Sequence, residues 1–344
     1  MKLLIRLSLL VFICIPKLHA QDFDFDTTGY IEINKKRITN TKIKSIKEES
    51  GCYIDQANPP LTYEDCETTY KEAYDKNGNL ISLKTYEDGS LQSENTYTYK
   101  NNRITSIEED YGDEVEKKVF IYNLTGKLMF KKEYEDKTLE ATTTYKYNSQ
   151  SLLIEEIYER PSSKGFGSNP YQKTIYKYNT NGKCIFKGEY NKAGVELDVR
   201  TYEYSNNGLT MVEKDKRDDT FVIQFKETKD ARGNSLEKVS YDYDGKQQKR
   251  MVNTYDANNN RLSYEEYDGD DKFVKSTTET YNDKNDVTTY TIFYPTNHSK
   301  TEGSKNVTRY WYKYDKKGNW TQRALYEGDE KFVSDAVKRT LKYY

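Results

Sequence analysis

Tyr310-Trp311-Tyr312-Lys313-Tyr314-Asp315-Lys316-Lys317-Gly318-Asn319-Trp320-Thr321-Gln322-Arg323-Ala324-Leu325-Tyr326 reads as two alternating runs joined by a tight turn. Side chains alternate across a strand with period two, so Tyr312 and Tyr314 share one face and Trp311 takes the other. Asp at the first turn position and Gly at the last suit a type I turn that closes through a left-handed residue. The stretch predicts one β-hairpin, and the chain on either side of it repeats that unit.

Aligning on the tyrosine that precedes the turn gives Tyr74, Tyr99, Tyr122, Tyr147, Tyr178, Tyr204, Lys229, Tyr255, Tyr281 and Tyr314, spaced 23 to 33 residues apart. Four residues on stand Gly78, Arg103, Gly126, Ser151, Gly182, Gly208, Gly233, Asn259, Asn285 and Gly318. All but Arg103 and Ser151 are Gly or Asn, which tolerate positive φ, so Arg103 and Ser151 mark the two divergent turns. A second, looser and often acidic turn, such as Glu87-Asp88-Gly89, Tyr111-Gly112-Asp113 or Asp268-Gly269-Asp270, returns the chain. Ile33 to Thr39 echoes Tyr99 to Thr105 and reads as a degenerate first repeat.

The expected fold is therefore all-β: tandem hairpins of about 25 residues in one long, twisted, curling antiparallel sheet or open partial shell. Val337 to Tyr344 would be an edge strand, with Lys338, Arg339 and Lys342 discouraging edge-to-edge pairing. Residues 30–344 read as a single repeat domain behind an acidic tail, residues 21–29. Long spacings at Arg160 to Tyr171 and Pro295 to Asn306 mark loops where recognition would vary.

Lys2 and Arg6 precede an apolar run from Leu7 to Ile15, and Leu18-His19-Ala20 ends it; residues 1–20 read as a cleaved secretory signal, too short for a stable membrane span. The mature protein is expected to be exported, to the periplasm or the cell surface. Aliphatic residues are sparse and 34 tyrosines supply the missing apolar surface. With a mean hydropathy of −1.03, this implies a thin sheet wet on both faces. Lys and Arg (54) and Asp and Glu (56) are interspersed, so no basic stripe suits nucleic acid. Cys52 and Cys66 flank Pro59-Pro60 and could form a disulfide in an oxidising compartment; Cys184 reads as a small buried hydrophobe.

After signal removal His298 is the lone histidine, which leaves no Ser-His-Asp, Cys-His or zinc-ligand pattern; no catalytic residue, cofactor or metal is expected. Asp22-Phe23-Asp24-Phe25-Asp26 lacks the Gly and closing Glu of a calcium loop. The tyrosine rows are the feature with functional reach, since exposed aromatic ladders can bind sugar faces or extended peptides. The candidate ligand residues are Trp311, Trp320, Tyr312, Tyr314, Tyr178 and Tyr204, against a purely cross-strand role for the same rings. Trp320 shares its repeat position with Leu80 and Leu128, which argues for packing.

The run Tyr312-Lys313-Tyr314-Asp315-Lys316-Lys317-Gly318-Asn319-Trp320, with Tyr74-Asp75-Lys76-Asn77-Gly78-Asn79-Leu80, resembles the YD repeats of the RHS family, and the likeness runs from about residue 30 to 344. Asp75, Asp256 and Asp315 keep the Tyr-Asp pair, while Asn123, Asn148, Asn179 and Asn282 replace the acid elsewhere. In large members such repeats spiral into a closed shell; ten or eleven hairpins look too few for that. The resemblance, closest to the short exported repeat proteins of Bacteroidetes, implies a non-enzymatic binding or scaffold protein of the envelope, engaging glycan or another protein. The alternatives are a self-associating structural protein or a carboxylate-based, glycan-active enzyme.

Overall fold

The computed structural model describes residues 38, 40–50, 53–54, 63–64, 66–161, 170–328, 333 and 335–344. Signal, acidic tail and Cys52 lie outside the described residues. Twenty-two strands form one antiparallel sheet, and a separate two-strand pair joins Tyr53–Ile54 to Tyr63–Glu64. Strands of 7 to 12 residues alternate with turns from Glu67–Tyr74 to Asp335–Tyr343.

The turn of the quoted stretch shows why these residues reverse the chain. Gly318 N–H donates to Asp315 O at 3.1 Å and Asp315 N–H to Asn319 O at 2.8 Å. The Asp315 carboxylate accepts from Lys317 N and Asn319 N, both at 2.9 Å. Gly318 sits at φ +79° with open space around its missing Cβ, so the backbone angle alone selects glycine. The register slips between Lys313 and Tyr314, pairing Tyr314 with Trp320 across a bulge. Asn123, Asn148, Asn179, Asp230, Asp256 and Asn282 hold their turns through the same side-chain oxygen.

Three expectations about turns are corrected. Ser151, at φ 66°, keeps the standard turn because Asn148 supplies the same two acceptor bonds. The return turns are not uniformly looser: Asn191 to Val195, Asp242 to Lys246 and Asp268 to Lys272 repeat the same hydrogen bonds. Gly208 closes a different turn, the 3-10 segment Asn206–Gly208. Arg103 does diverge, opening its strand after the two-residue turn Asn101-Asn102.

The expected open sheet is also corrected. Strand Ile43–Ser50 pairs with Asp335–Tyr343 on one side and with Glu67–Tyr74 on the other, so the hydrogen-bonded strand order closes on itself. The last strand is thus no edge, and Arg339 faces a partner rather than solvent. The physical reason lies in Ile43–Ser50, which supplies the strand that both ends need, while the expected first repeat at Ile33 to Thr39 lies largely outside the described residues.

The chain divides into two compact units. One comprises Tyr202–Thr280 with Ile292–Lys305; the other comprises the described residues up to Thr201, with Tyr281–Thr291 and Asn306–Tyr344. In the second, Ile43, Ile46, Tyr74, Leu80, Tyr97, Ile107, Phe120, Leu128, Tyr145 and Leu153 form one buried cluster. Tyr97 and Tyr145 are only 3% and 2% exposed, so this unit is not wet on both faces. In the first, Tyr267, Phe273 and Phe293 form a smaller cluster, with ring centroids 5.8 and 6.1 Å apart.

Candidate functional site

The aromatic residues singled out from sequence are held largely by packing. Four anchor tyrosines face, across a bulge, the first residue of the next strand: Tyr74 faces Leu80, Tyr122 faces Leu128, Tyr147 faces Leu153 and Tyr314 faces Trp320. Trp320 is buried like Leu80 and Leu128. Tyr312 stacks on Tyr310 and Tyr314 at 6.5 and 6.0 Å and meets Trp320 edge-on at 6.3 Å. The Arg339 guanidinium lies 3.6 Å from the Trp320 ring centroid.

Phenol hydroxyls bind the neighbouring repeat. Tyr314 OH donates to Asp286 Oδ2 at 2.6 Å and accepts from Asn282 Nδ2 at 2.7 Å. Tyr178 OH donates to Leu153 O at 2.6 Å. Burial pushes the Tyr178 and Tyr312 phenols up to about 12, so both stay neutral donors. Trp311 is half-buried, as is Tyr204 in the other unit. The structure therefore gathers Trp320, Tyr312 and Tyr314, leaves Trp311 on the other strand face, and places Tyr178 separately.

The closing strand lies beside this group. Arg339 Nε donates to Glu48 Oε2 at 2.7 Å and its Nη2 to Tyr70 OH at 2.8 Å, while Tyr70 OH donates to the same Glu48 oxygen at 2.6 Å. Lys317 Nζ reaches Thr41 O at 3.3 Å, as Lys127 Nζ reaches Ser151 O at 3.1 Å between ordinary repeats. The seam thus imitates a repeat-to-repeat contact.

A different place offers room for a ligand. At the return-turn end of strands Val115–Tyr122, Leu128–Glu135 and Thr138–Tyr147 lies a cleft of about 410 Å³. Its walls carry Glu114, Glu116, Glu133, Glu135 and Glu140, with Lys117, Lys118, Arg160, Tyr134 and Tyr158. Glu140 falls in the bulge where the register shifts between Leu139 and Ala141. Glu116 and Glu135 are direct cross-strand partners, an arrangement of like charges that weakens a sheet. Partial desolvation, then the fields of Glu135, Glu116, Asp136 and Asp113, raise the Glu114 carboxyl. Arg160 Nε donates to Tyr158 OH at 2.5 Å, and Arg160 N–H anchors the following loop at Pro170 O, 2.8 Å away.

No candidate from the aromatic rows lines this cleft. The sequence signal that reaches it is the long spacing after Tyr147, which places a loop at Arg160; its glutamates read as ordinary turn and wet strand positions. No group of His, Cys, Asp and Glu among the described residues is arranged to hold a metal ion. His298 Nδ1 lies 3.0 Å from Phe273 O. Cys184 is half-buried, its thiol raised by burial and donating to Phe186 O at 3.3 Å. Cys66 is disulfide-bonded.

A family model described as "Uncharacterised protein" matches residues 32–165, less than half of the chain. No curated protein matches. Among solved structures, the chain is similar to "Crystal Structure of TcdB2-TccC3-Cdc42" at 11% identity and a TM-score of 0.32, covering 78% of this chain and 16% of that one. It thus spans about a sixth of that protein's length. A porin-like protein from Bacteroides uniformis ATCC 8492 is 11% identical with a TM-score of 0.27, covering 88% of this chain and 97% of its own. One from Bacteroides vulgatus ATCC 8482 is 12% identical with a TM-score of 0.24, covering 88% and 98%.

Proposed function

We propose that this is an exported, non-enzymatic binding protein of the cell envelope, built from YD-type hairpin repeats, that recognises a glycan. The cleft at Tyr134, Tyr158 and Arg160 is the observation that carries this reading. Half-buried aromatic rings can lie against the apolar face of a sugar, while carboxylates and a guanidinium exchange hydrogen bonds with its hydroxyls. Export rests on Lys2, Arg6 and the apolar run to Ile15 and is supported by the disulfide at Cys66, a bond that persists in oxidising compartments.

A location beside the membrane fits better than one within it. No described helix is long and apolar enough to cross a bilayer, which says nothing of a β-barrel. However, strand positions carry exposed ion pairs, Lys84 with Glu94 at 2.6 Å and Lys117 with Glu108 at 2.8 Å. A lipid-facing band requires apolar side chains there.

The test is a glycan array probed with residues 21–344, followed by fluorescence titration. Saturable binding to one glycan class, weakened on the order of tenfold by Tyr158→Ala or Arg160→Ala, is the expected result. Silence across the array, or binding indifferent to both changes, would remove the cleft from consideration. Loss of binding on Trp311→Ala alone would move the site to the aromatic rows.

A further inference from the structure

The cleft at Tyr134, Tyr158 and Arg160 has a charge that narrows what it can bind. Among the described residues, five carboxylates and three cations stand in its walls. Two of these are matched from outside the cleft, Lys117 by Glu108 at 2.8 Å and Glu133 by Lys131 at 3.2 Å. Glu114, Glu116, Glu135 and Glu140 then stand against Lys118 and Arg160, so the walls keep an excess of two negative charges. The adjoining return turns add Asp113, and Asp136 beside Lys137. The excess is written into the strand register. Glu109, Glu116 and Glu135 are direct cross-strand partners on the adjacent strands Arg103–Asp110, Val115–Tyr122 and Leu128–Glu135. Like charges so placed weaken a sheet, and a cation seated beside them relieves the repulsion.

The raised Glu114 carboxyl reports the same field: after partial desolvation, Glu135, Glu116, Asp136 and Asp113 all act to hold its proton. A sugar resting on the Tyr134 or Tyr158 ring is therefore sorted by its substituents. A uronate or a phosphate meets like charge and is repelled, whereas a hydroxyl or an N-acetyl group gains only neutral hydrogen bonds. A protonated primary amine forms charge-assisted bonds to carboxylates, roughly twice as strong as neutral ones. The field of the cleft also draws such a cation in before contact.

We propose that this cleft selects glycans that carry free primary amines, hexosamines without their N-acetyl groups, and that Glu114 and Glu116 read the amine. This selection presupposes the glycan-binding reading of the same cleft and names its substrate class. The tyrosine rings hold the sugar in either form, and the carboxylates separate the amine from its acetylated counterpart. No bond to the sugar is made or broken.

The test titrates two oligosaccharides of equal length and linkage, one of chitosan and one of chitin, into residues 21–344 at about pH 6, where an amine is protonated and a carboxylate ionised. The chitosan oligomer should bind at least about tenfold more tightly, and its advantage should shrink as salt is raised. Glu114→Gln combined with Glu116→Gln should remove most of that advantage and leave chitin binding unchanged, whereas Tyr158→Ala should weaken both. The free double variant should melt no lower than the parent, because a like-charge pair has been relieved. Equal or tighter binding of the chitin oligomer, still weakened by Tyr158→Ala, leaves the cleft standing and overturns the selection by charge. A chitosan preference that survives the double replacement overturns it too, as does a lowered melting temperature, since the carboxylates would then serve the fold. Displacement of the chitosan oligomer by equimolar spermine would reveal a site for any polycation and overturn the sugar class. Binding of neither oligomer removes the glycan reading and the amine selection together.

Discussion

Arg339 and Glu48, 291 positions apart, form a 2.7 Å ion pair with side-chain exposures of 18% and 16%, and this pair fastens the last strand to the first. Both charges are shielded, and Tyr70 completes the set by hydrogen-bonding each of them. Removing one partner leaves the other charge buried and unmatched. Arg339→Ala or Glu48→Ala should therefore cost roughly 3–5 kcal/mol in urea unfolding. The double replacement should cost less than the sum, and strict additivity would show that the pair is not coupled.

Trp320 and Trp311 are neighbours in the same hairpin with opposite expectations. Trp320 is buried between Tyr312 and Arg339, so Trp320→Ala should destabilise by roughly 3–5 kcal/mol. Trp311, half-buried on the other strand face, should cost markedly less. Similar losses at the two sites would contradict this assignment of faces.

Alkaline pH should unfold the protein. Burial, with Glu48 adding to it and Arg339 opposing, pushes the Tyr70 phenol far above its ordinary value, and burial does the same for Tyr145 and Tyr176. A phenol raised in the folded state stabilises fully below about pH 10, and that contribution is lost as pH rises toward the folded value. Absorbance titration should thus show Tyr178 and Tyr312 ionising at about 12, and Tyr70, Tyr145 and Tyr176 only with unfolding. One reversible step near 10 for all of them would refute the buried rows.

Two glycines should respond to alanine for different reasons. Gly318→Ala meets no atom but holds φ +79°, so it should cost about 1–2 kcal/mol and be largely rescued by Asn. A Cβ at Gly303 would sit 2.1 Å from the Tyr294 carbonyl oxygen, so the backbone must move and no residue with a side chain should rescue it. Differential scanning calorimetry of Gly318→Ala, Gly318→Asn and Gly303→Ala separates the two mechanisms, and rescue at Gly303 by Asn would refute the second.

Much of this was local and hence legible. Period-two alternation, the Asp or Asn that accepts two backbone N–H groups and the residue at positive φ act within a few positions, so the hairpin and its repeat could be read from Tyr310 to Tyr326. The packing role of Trp320 could be read from its equivalence to Leu80 and Leu128. The cleft could not, because Tyr134, Glu135, Glu140 and Tyr158 come together only through strand register and a bulge.

An all-β chain of tandem hairpins was dictated by the order of residues, because each turn is specified by its own side chains and needs nothing distant. Closure of the sheet was settled only in the folded chain. Nothing in the local pattern of Ile43 to Ser50 distinguishes a strand that ends a sheet from one that joins its two ends. That depends on how twist accumulates over many hairpins until Arg339 and Tyr70 reach the same carboxylate, a long-range sum that no single repeat encodes.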